Sequence, residues 1–262
     1  SPAFPTYNYS WFRDGSYIAY SMDRVKNHDS SSRFHHWCAD VIIHQKEKIE
    51  KLISKKNNGK PIKSEEYLTA RYTVEGKSTG DDWTDFQLDG YGTWLWSLKE
   101  HIELTKNDGI LIQIRPSIEL IVNYLITFWK TPCYDYWEEH LDAIHTSTLV
   151  AIIAGLEASL NFELSLREST ISETITKIRD FIDTNIVHPD GYYRKLIFSG
   201  KSTDSESISN LVDASQISLS VPFEVYSIDN KIFQSTINKI ESDLYRPNGG
   251  VYRYLKDTFY GG

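Results

Sequence analysis

Two adjacent carboxylates, Glu138 and Glu139, lie in the heptapeptide Tyr134-Asp135-Tyr136-Trp137-Glu138-Glu139-His140, just before an apolar segment. Carboxylates are costly to bury in such a place. An aromatic wall raises a carboxyl pKa by desolvating the charged form, as a general acid near neutral pH requires. A tryptophan beside a carboxylate also makes a floor for a sugar ring. The plainer reading is a solvated helix start, with Glu-Glu placed for the helix dipole.

Three other segments have the same chemical flavour. Tyr7-Asn8-Tyr9-Ser10-Trp11-Phe12-Arg13-Asp14 sets an Arg-Asp pair beside a tryptophan. Trp83-Thr84-Asp85-Phe86-Gln87-Leu88-Asp89-Gly90 adds a Trp, a Gln and an Asp. Gly250 to Tyr260 carries Arg253, Tyr254 and Asp257. Arg and Asp side chains bind the vicinal hydroxyls of a pyranose as paired donors and acceptors. Taken singly, each segment also has a structural reading. Arg13-Asp14 reads as a cap with a salt bridge, the Trp83 segment as core plus surface, and Arg253 with Asp257 as a local ion pair.

The elements that must position these residues read as helices. Apolar periodicity predicts helices over 15–27, 30–55, 87–106, 110–129, 143–162, 168–186, 207–221 and 230–244, with Pro116 near the true start of the fourth. The stretch 143–162 is apolar on most faces, as interior helices are. A strand-like piece covers 68–74, and 188–199 reads as a hairpin around Pro189-Asp190-Gly191. There is no βαβ alternation. Longer connections around 65–85, 130–141, 192–206 and 245–262 follow every second helix. This predicts helix hairpins in a ring, with aromatic and acidic loops on one rim. The simpler alternative is a plain helical bundle. No linker divides the chain, so one domain is expected over 1–262.

Composition fits this picture. Of 262 residues, 40% are hydrophobic and 24% charged, which is ordinary for a globular chain. Aromatics are abundant, with 17 Tyr, 11 Phe and 7 Trp, and carbohydrate clefts use such rings. A net charge of −8 argues against a nucleic-acid partner, because a phosphate-binding surface needs a basic excess. Cys38 and Cys133 read as buried thiols rather than a disulfide framework. No stretch approaches the roughly 20 apolar residues of a membrane span, so no membrane partner is expected. Ser-Pro-Ala-Phe-Pro at the N-terminus lacks the regions of a signal peptide, which points to the cytoplasm. It also lacks a starting Met, so the chain reads as processed or as a fragment.

Together the four segments resemble the catalytic domain of glycoside hydrolase family fifteen, the glucoamylases with related glucodextranases and microbial trehalases. Trp11-x-Arg13-Asp14 resembles the family's sugar clamp, and Phe86-Gln87-Leu88-Asp89-Gly90 its Gln-x-Asp segment. Trp137-Glu138-Glu139 followed by His145-Thr146-Ser147 resembles its acid-bearing loop. Arg253-Tyr254-x-x-Asp257-x-x-Tyr260 resembles its Arg-Tyr-x-x-Asp segment. The resemblance implies an all-α fold, an (α/α)6 barrel of helical hairpins. It also implies inverting hydrolysis of α-glucosidic bonds from the non-reducing end.

Carried over by position, Glu138 is the proton donor and Glu139 the second, sugar-binding carboxylate. Trp11, Arg13, Asp14, Trp137, Arg253 and Tyr254 would hold the glucose, and Trp83 would line the site near the acid. Gln87 and Asp89 would support their loop, and His140, Asp257 and Tyr260 would hold loops in place. The partner implied is an oligosaccharide or disaccharide of α-linked glucose, and neither a cofactor nor a metal is needed for that chemistry. The pattern breaks in one respect. No Glu matches the family's general base, and about eight of twelve helices are legible, which reads as an incomplete barrel. The alternatives are an α,α-trehalase of the same family, and a non-catalytic saccharide-binding protein.

Overall fold

A computed structural model describes residues 8–79, 85–200 and 205–257. Two compact units result: residues 1–129 with 152–175 form unit 1, and residues 130–151 with 176–262 form unit 2.

Unit 1 begins with β1 (Tyr9–Trp11), which pairs antiparallel with β2 (Arg71–Thr73), Trp11 opposite Arg71. Trp11 leads directly into α1 (Phe12–Arg24). The buried side chains of α1 are Phe12, Ser16, Ala19 and Asp23, a stripe at helical spacing. The Phe12 ring is the hub of an aromatic cluster, 4.9 Å from Tyr91, 5.7 Å from Tyr72 and 6.2 Å from Trp94.

The expected single helix over 30–55 is two helices, α2 (His28–His44) and α3 (Lys46–Asn57), broken at Gln45. No Gly or Pro marks the break. It lets α3 bury its own pair, Ile49 and Leu52, while α2 buries Cys38, Val41 and Ile42. Helix α4 (Asp89–Thr105) packs on α1 and is buried on most of its length.

Helix α5 (Gly109–Phe128) packs on α2 and α3. Pro116 lies inside it rather than near its start. An interior proline costs about 3 kcal/mol through a lost hydrogen bond and a ring clash. Burial of Ile114, Ile118, Ile121, Val122 and Leu125 on the same helix offsets that cost. The expectation that no stretch is long and apolar enough for a membrane span also needs correcting. The 20 residues of α5 meet that test by length and composition, and about half are buried inside the protein.

The predicted helix over 143–162 starts later. Ala143–His145 form β3, and α6 (Thr146–Ser159) follows. Strand β3 pairs antiparallel with β4 (Leu196–Phe198), so β4 pairs with β3 rather than completing a local hairpin. A single bridge, Val187 with Tyr193, is what closes around Pro189-Asp190-Gly191.

Helix α7 (Glu168–Phe181) ends in a π turn, Ile182–Ile186. The predicted helix over 207–221 is instead a short α8 (Ser205–Ser209) and a 3-10 segment, Ala214–Leu219. An Asp213–Gln216 capping box starts that segment. Helix α9 (Lys231–Leu244) follows, with Asn230 accepting from the amides of Ile232 and Phe233. Both cysteines are free and buried.

Candidate active site

In unit 2, Asp135 builds the loop that carries the acid pair. Its Oδ1 accepts from the amides of Trp137 (2.9 Å) and Glu139 (3.0 Å), and its carbonyl accepts from the amide of Glu138 (3.1 Å). Wrapped this way, Glu138 takes φ +62° and His140 φ +56°. These are left-handed conformations that cost a non-glycine residue roughly 1–2 kcal/mol. The acid pair is therefore in a strained turn ahead of β3, not in the first turn of a helix. Glu138, Glu139 and Trp137 are all half-buried.

Glu139 is anchored across unit 2. Its Oε2 accepts from the Tyr254 hydroxyl (2.5 Å), and its Oε1 lies 3.3 Å from Nη2 of Arg253. Arg253 also forms a bidentate pair with Asp257, at 2.6 and 2.5 Å, and its guanidinium lies 5.1 Å from the centre of the Trp137 ring. The Asp257 pair holds the Arg253 pKa above its ordinary value, and Glu139 adds to the effect. Burial pushes the Tyr254 phenol up as well, reinforced by Glu139, so the hydroxyl stays protonated and donates.

Below these groups lies a buried ionic layer that no local pattern announces. Asp213 accepts from the Trp137 indole Nε1 with both oxygens, at 3.1 and 3.0 Å, and from the amide and hydroxyl of Ser215. Lys195, 3% exposed, sets its ammonium 3.0 Å from Asp213 and 3.5 Å from Asp135. The same ammonium lies 3.2 Å from the centre of the Tyr254 ring, a cation–π contact. His145 is 3.8 Å from Asp135 and is held below the usual histidine range, first by burial, with Asp135 opposing. One lysine thus ties together the carboxylate that shapes the Glu138 loop, the carboxylate that holds Trp137, and the ring that holds Glu139.

In unit 1, Arg13 donates through Nη1 to Gln87 (2.7 Å) and to Asp89 (2.9 Å). Asp89 is fully buried. Desolvation raises its pKa, and Arg13 partly offsets the rise. Gln87 and Asp89 therefore hold the guanidinium of Arg13. Asp14 is exposed and 3.6 Å from the same guanidinium. Trp11 is half-buried, with the buried guanidinium of Arg71 5.6 Å from its ring centre.

The structure thus brings Arg13 and Asp14 together with Gln87 and Asp89 in unit 1, and sets Trp11 beside Arg71. It brings Trp137, Glu138 and Glu139 together with Arg253, Tyr254 and Asp257 in unit 2. Trp83 and Tyr260 lie outside the described residues. Asp135, Lys195 and Asp213 hold the loop of the candidate site, and sequence reasoning had not singled them out. Asp135 stood inside the heptapeptide, and a side chain two residues before a turn amide was the available signal.

This all-α architecture matches known glycosidases. A glycosidase variant solved in complex with glucose superposes with a TM-score of 0.88 at 32% identity, over 100% of this chain and 68% of that one. The glucoamylase of Saccharomycopsis fibuligera shares the fold, with a TM-score of 0.69 at 15% identity over 98% of this chain and 60% of that one. The chain thus has the helical-hairpin, (α/α)6-type fold of these proteins and spans about two thirds of their length.

In sequence, the isomaltose glucohydrolase of Kribbella flavida is 35% identical over 269 residues, covering 100% of this chain and 66% of that protein. The family described as glycosyl hydrolases family 15 matches residues 1–261. The chain belongs to glycosyl hydrolases family 15.

Proposed function

We propose that this chain is part of the single catalytic domain of a hydrolase that releases glucose from the non-reducing end of α-glucosides, with Glu138 as general acid. One observation carries the reading. Glu139, Tyr254, Arg253 and Trp137 form one bonded constellation, and Glu138 is held beside it in a strained, half-buried turn. Strained backbone that its surroundings enforce is a mark of functional sites.

In this scheme the Glu138 carboxylic acid gives its proton to the glycosidic oxygen as the C1–O bond breaks. The Glu139 carboxylate and the Arg253 guanidinium take sugar hydroxyls as acceptor and donor, and Trp137 offers a ring face. Arg13, Asp14 and Trp11 are carried over as further sugar-binding groups. Inversion needs a second carboxylate that activates water from the opposite face, roughly 6.5–9.5 Å from the acid. The resemblance assigns that role to no residue among 1–262. Similarity to an isomaltose glucohydrolase makes isomaltose the first substrate to test, with maltose and trehalose beside it.

The test measures glucose binding and glucose release by the purified chain, and compares a form of the protein that supplies the base with its Glu138→Gln variant. The chain alone should bind glucose and release little from α-glucosides, and in the active form Glu138→Gln should lower turnover by about 10²–10⁴ or more while binding survives. Near-normal turnover in Glu138→Gln overturns the assignment. Glucose binding with no turnover in any form of the protein replaces it with the saccharide-binding reading.

A further inference from the structure

Three buried side chains of unit 1, remote in sequence from the motifs above, converge on one point. Asp23 comes from α1, His35 from α2 and His101 from α4, at 2%, 0% and 4% exposure. One ligand-competent atom from each lies within 4.8 Å of the other two. We propose that Asp23, His35 and His101 form a structural binding site for one divalent transition-metal ion of the zinc type.

The donor chemistry fits. A carboxylate with two imidazoles is a usual set of zinc ligands.

His35 supplies an independent argument. Among the described residues, neither of its ring nitrogens has a hydrogen-bond partner, although the side chain is fully buried. A neutral imidazole has one donor and one acceptor, and leaving either unmet in the core costs about 1–3 kcal/mol. The ring lies 5.1 Å from that of His101. A cation among the three groups would use the lone pair that is otherwise wasted.

The surroundings are those of an ordered ligand shell. The Ser31 hydroxyl is 2.6 Å from Asp23 Oδ2, and His28 Nδ1 is 2.7 Å from Oδ1, so the carboxylate is oriented from outside. His101 Nδ1 is 3.0 Å from both Asp23 oxygens. Zinc–nitrogen bonds near 2.0–2.1 Å put neighbouring tetrahedral ligands about 3.4 Å apart. Asp23 and His101, 3.0 Å apart, lie close to that spacing, and the ligand atom of His35 lies within 4.8 Å of both. His28, partly exposed, gives the site a way to solvent. The ion would pin α1 to α2 and α4 near the C-terminal end of α1, at the end opposite Arg13. It is thus a site apart from hydrolysis.

The experiment strips the purified full chain with chelator, adds Zn²⁺ or Co²⁺, removes excess metal by gel filtration and measures retained metal and thermal midpoint. The expected result is one equivalent per chain and a midpoint raised by several degrees. His35→Phe, of similar size and apolar, should lose both effects. His101→Gln, which keeps a donor for Asp23, should also lose both. The visible spectrum of the Co²⁺ form should show tetrahedral coordination. X-ray absorption of the zinc-loaded unsubstituted chain, which needs no variant, should show two imidazoles and no sulfur.

Three results overturn the proposal. The unsubstituted chain could retain no metal, which leaves a buried water as the partner of His35. His35→Phe could retain as much metal as the parent, which places the ion on surface histidines. A sulfur ligand would move the site to a cysteine.

Discussion

Replacing Asp135 separates the two jobs that the ionic layer performs. Asp135→Ala removes the acceptor of two loop amides, at 2.9 and 3.0 Å, and one of the two carboxylates beside Lys195. Each orphaned amide costs about 1–3 kcal/mol, less where water reaches it, so the pair contributes roughly 2–4 kcal/mol. Losing one partner of a buried ion pair costs up to about 3–5 kcal/mol. Lys195 keeps its nearer partner, Asp213 at 3.0 Å, so only part of that applies, roughly 1–2 kcal/mol. The sum is about 3–6 kcal/mol, a large share of the 5–15 kcal/mol of a typical domain.

Asp135→Asn keeps Oδ1 as an acceptor and removes the charge, so it should cost only about 1–2 kcal/mol. Urea unfolding followed by circular dichroism and tryptophan fluorescence measures both. Glucose affinity reports whether the turn carrying Glu138 and Glu139 keeps its shape, and it should fall in the Ala variant far more than in the Asn variant. If the two substitutions cost the same within about 0.5 kcal/mol, the amide bonds are not what holds the loop, and the reasoning fails.

Three further outcomes follow from the same geometry. Tyr254→Phe deletes the 2.5 Å hydrogen bond to Glu139, a charge-assisted bond worth about 1.5–3 kcal/mol, and calorimetry should show glucose bound roughly 10- to 100-fold more weakly. Gly155→Ala would place a Cβ 2.6 Å from the Gly92 carbonyl oxygen, a clash with backbone that should lower the thermal midpoint by an amount equivalent to about 1–3 kcal/mol. His145 is held below its ordinary pKa in the folded chain, so below about pH 6.5 the unfolded chain takes up a proton that the folded one refuses. Its contribution is therefore present above that pH and lost as pH falls. A plot of unfolding free energy against pH should slope less steeply below pH 6.5 in His145→Gln, and an unchanged slope would remove His145 from the account.

Helix periodicity made the all-α class legible, because the buried stripe of each element is local in sequence. Phe12, Ser16, Ala19 and Asp23 show this on α1. What escaped was decided by tertiary packing. The break at Gln45 carries no local marker, and Pro116 is tolerated because the helix around it is buried on apolar side chains. The contacts of Glu139 with Arg253 and Tyr254 join residues that the sequence had singled out, because each stands in a recognisable short segment. Lys195 was not among them, because nothing beside it in sequence shows that an ammonium will be buried, and both of its carboxylates come from other segments.

The acid pair shows the same division within a single turn. Two consecutive glutamates before an apolar run favour a helix start on local grounds, since the helix dipole and solvation both agree with it. The fold instead puts β3 between them and α6, and drives Glu138 and His140 into left-handed backbone with the Asp135 carboxylate as the clamp. The local preference is worth less than about 1 kcal/mol, whereas the amide bonds to Asp135 and the anchoring of Glu139 by Tyr254 and Arg253 together exceed it several-fold. The residue types in the heptapeptide therefore indicate what chemistry the turn can do, Asp135 within it shapes the backbone, and Asp213 and Tyr254, more than 60 residues away, hold the Trp137 and Glu139 side chains in place.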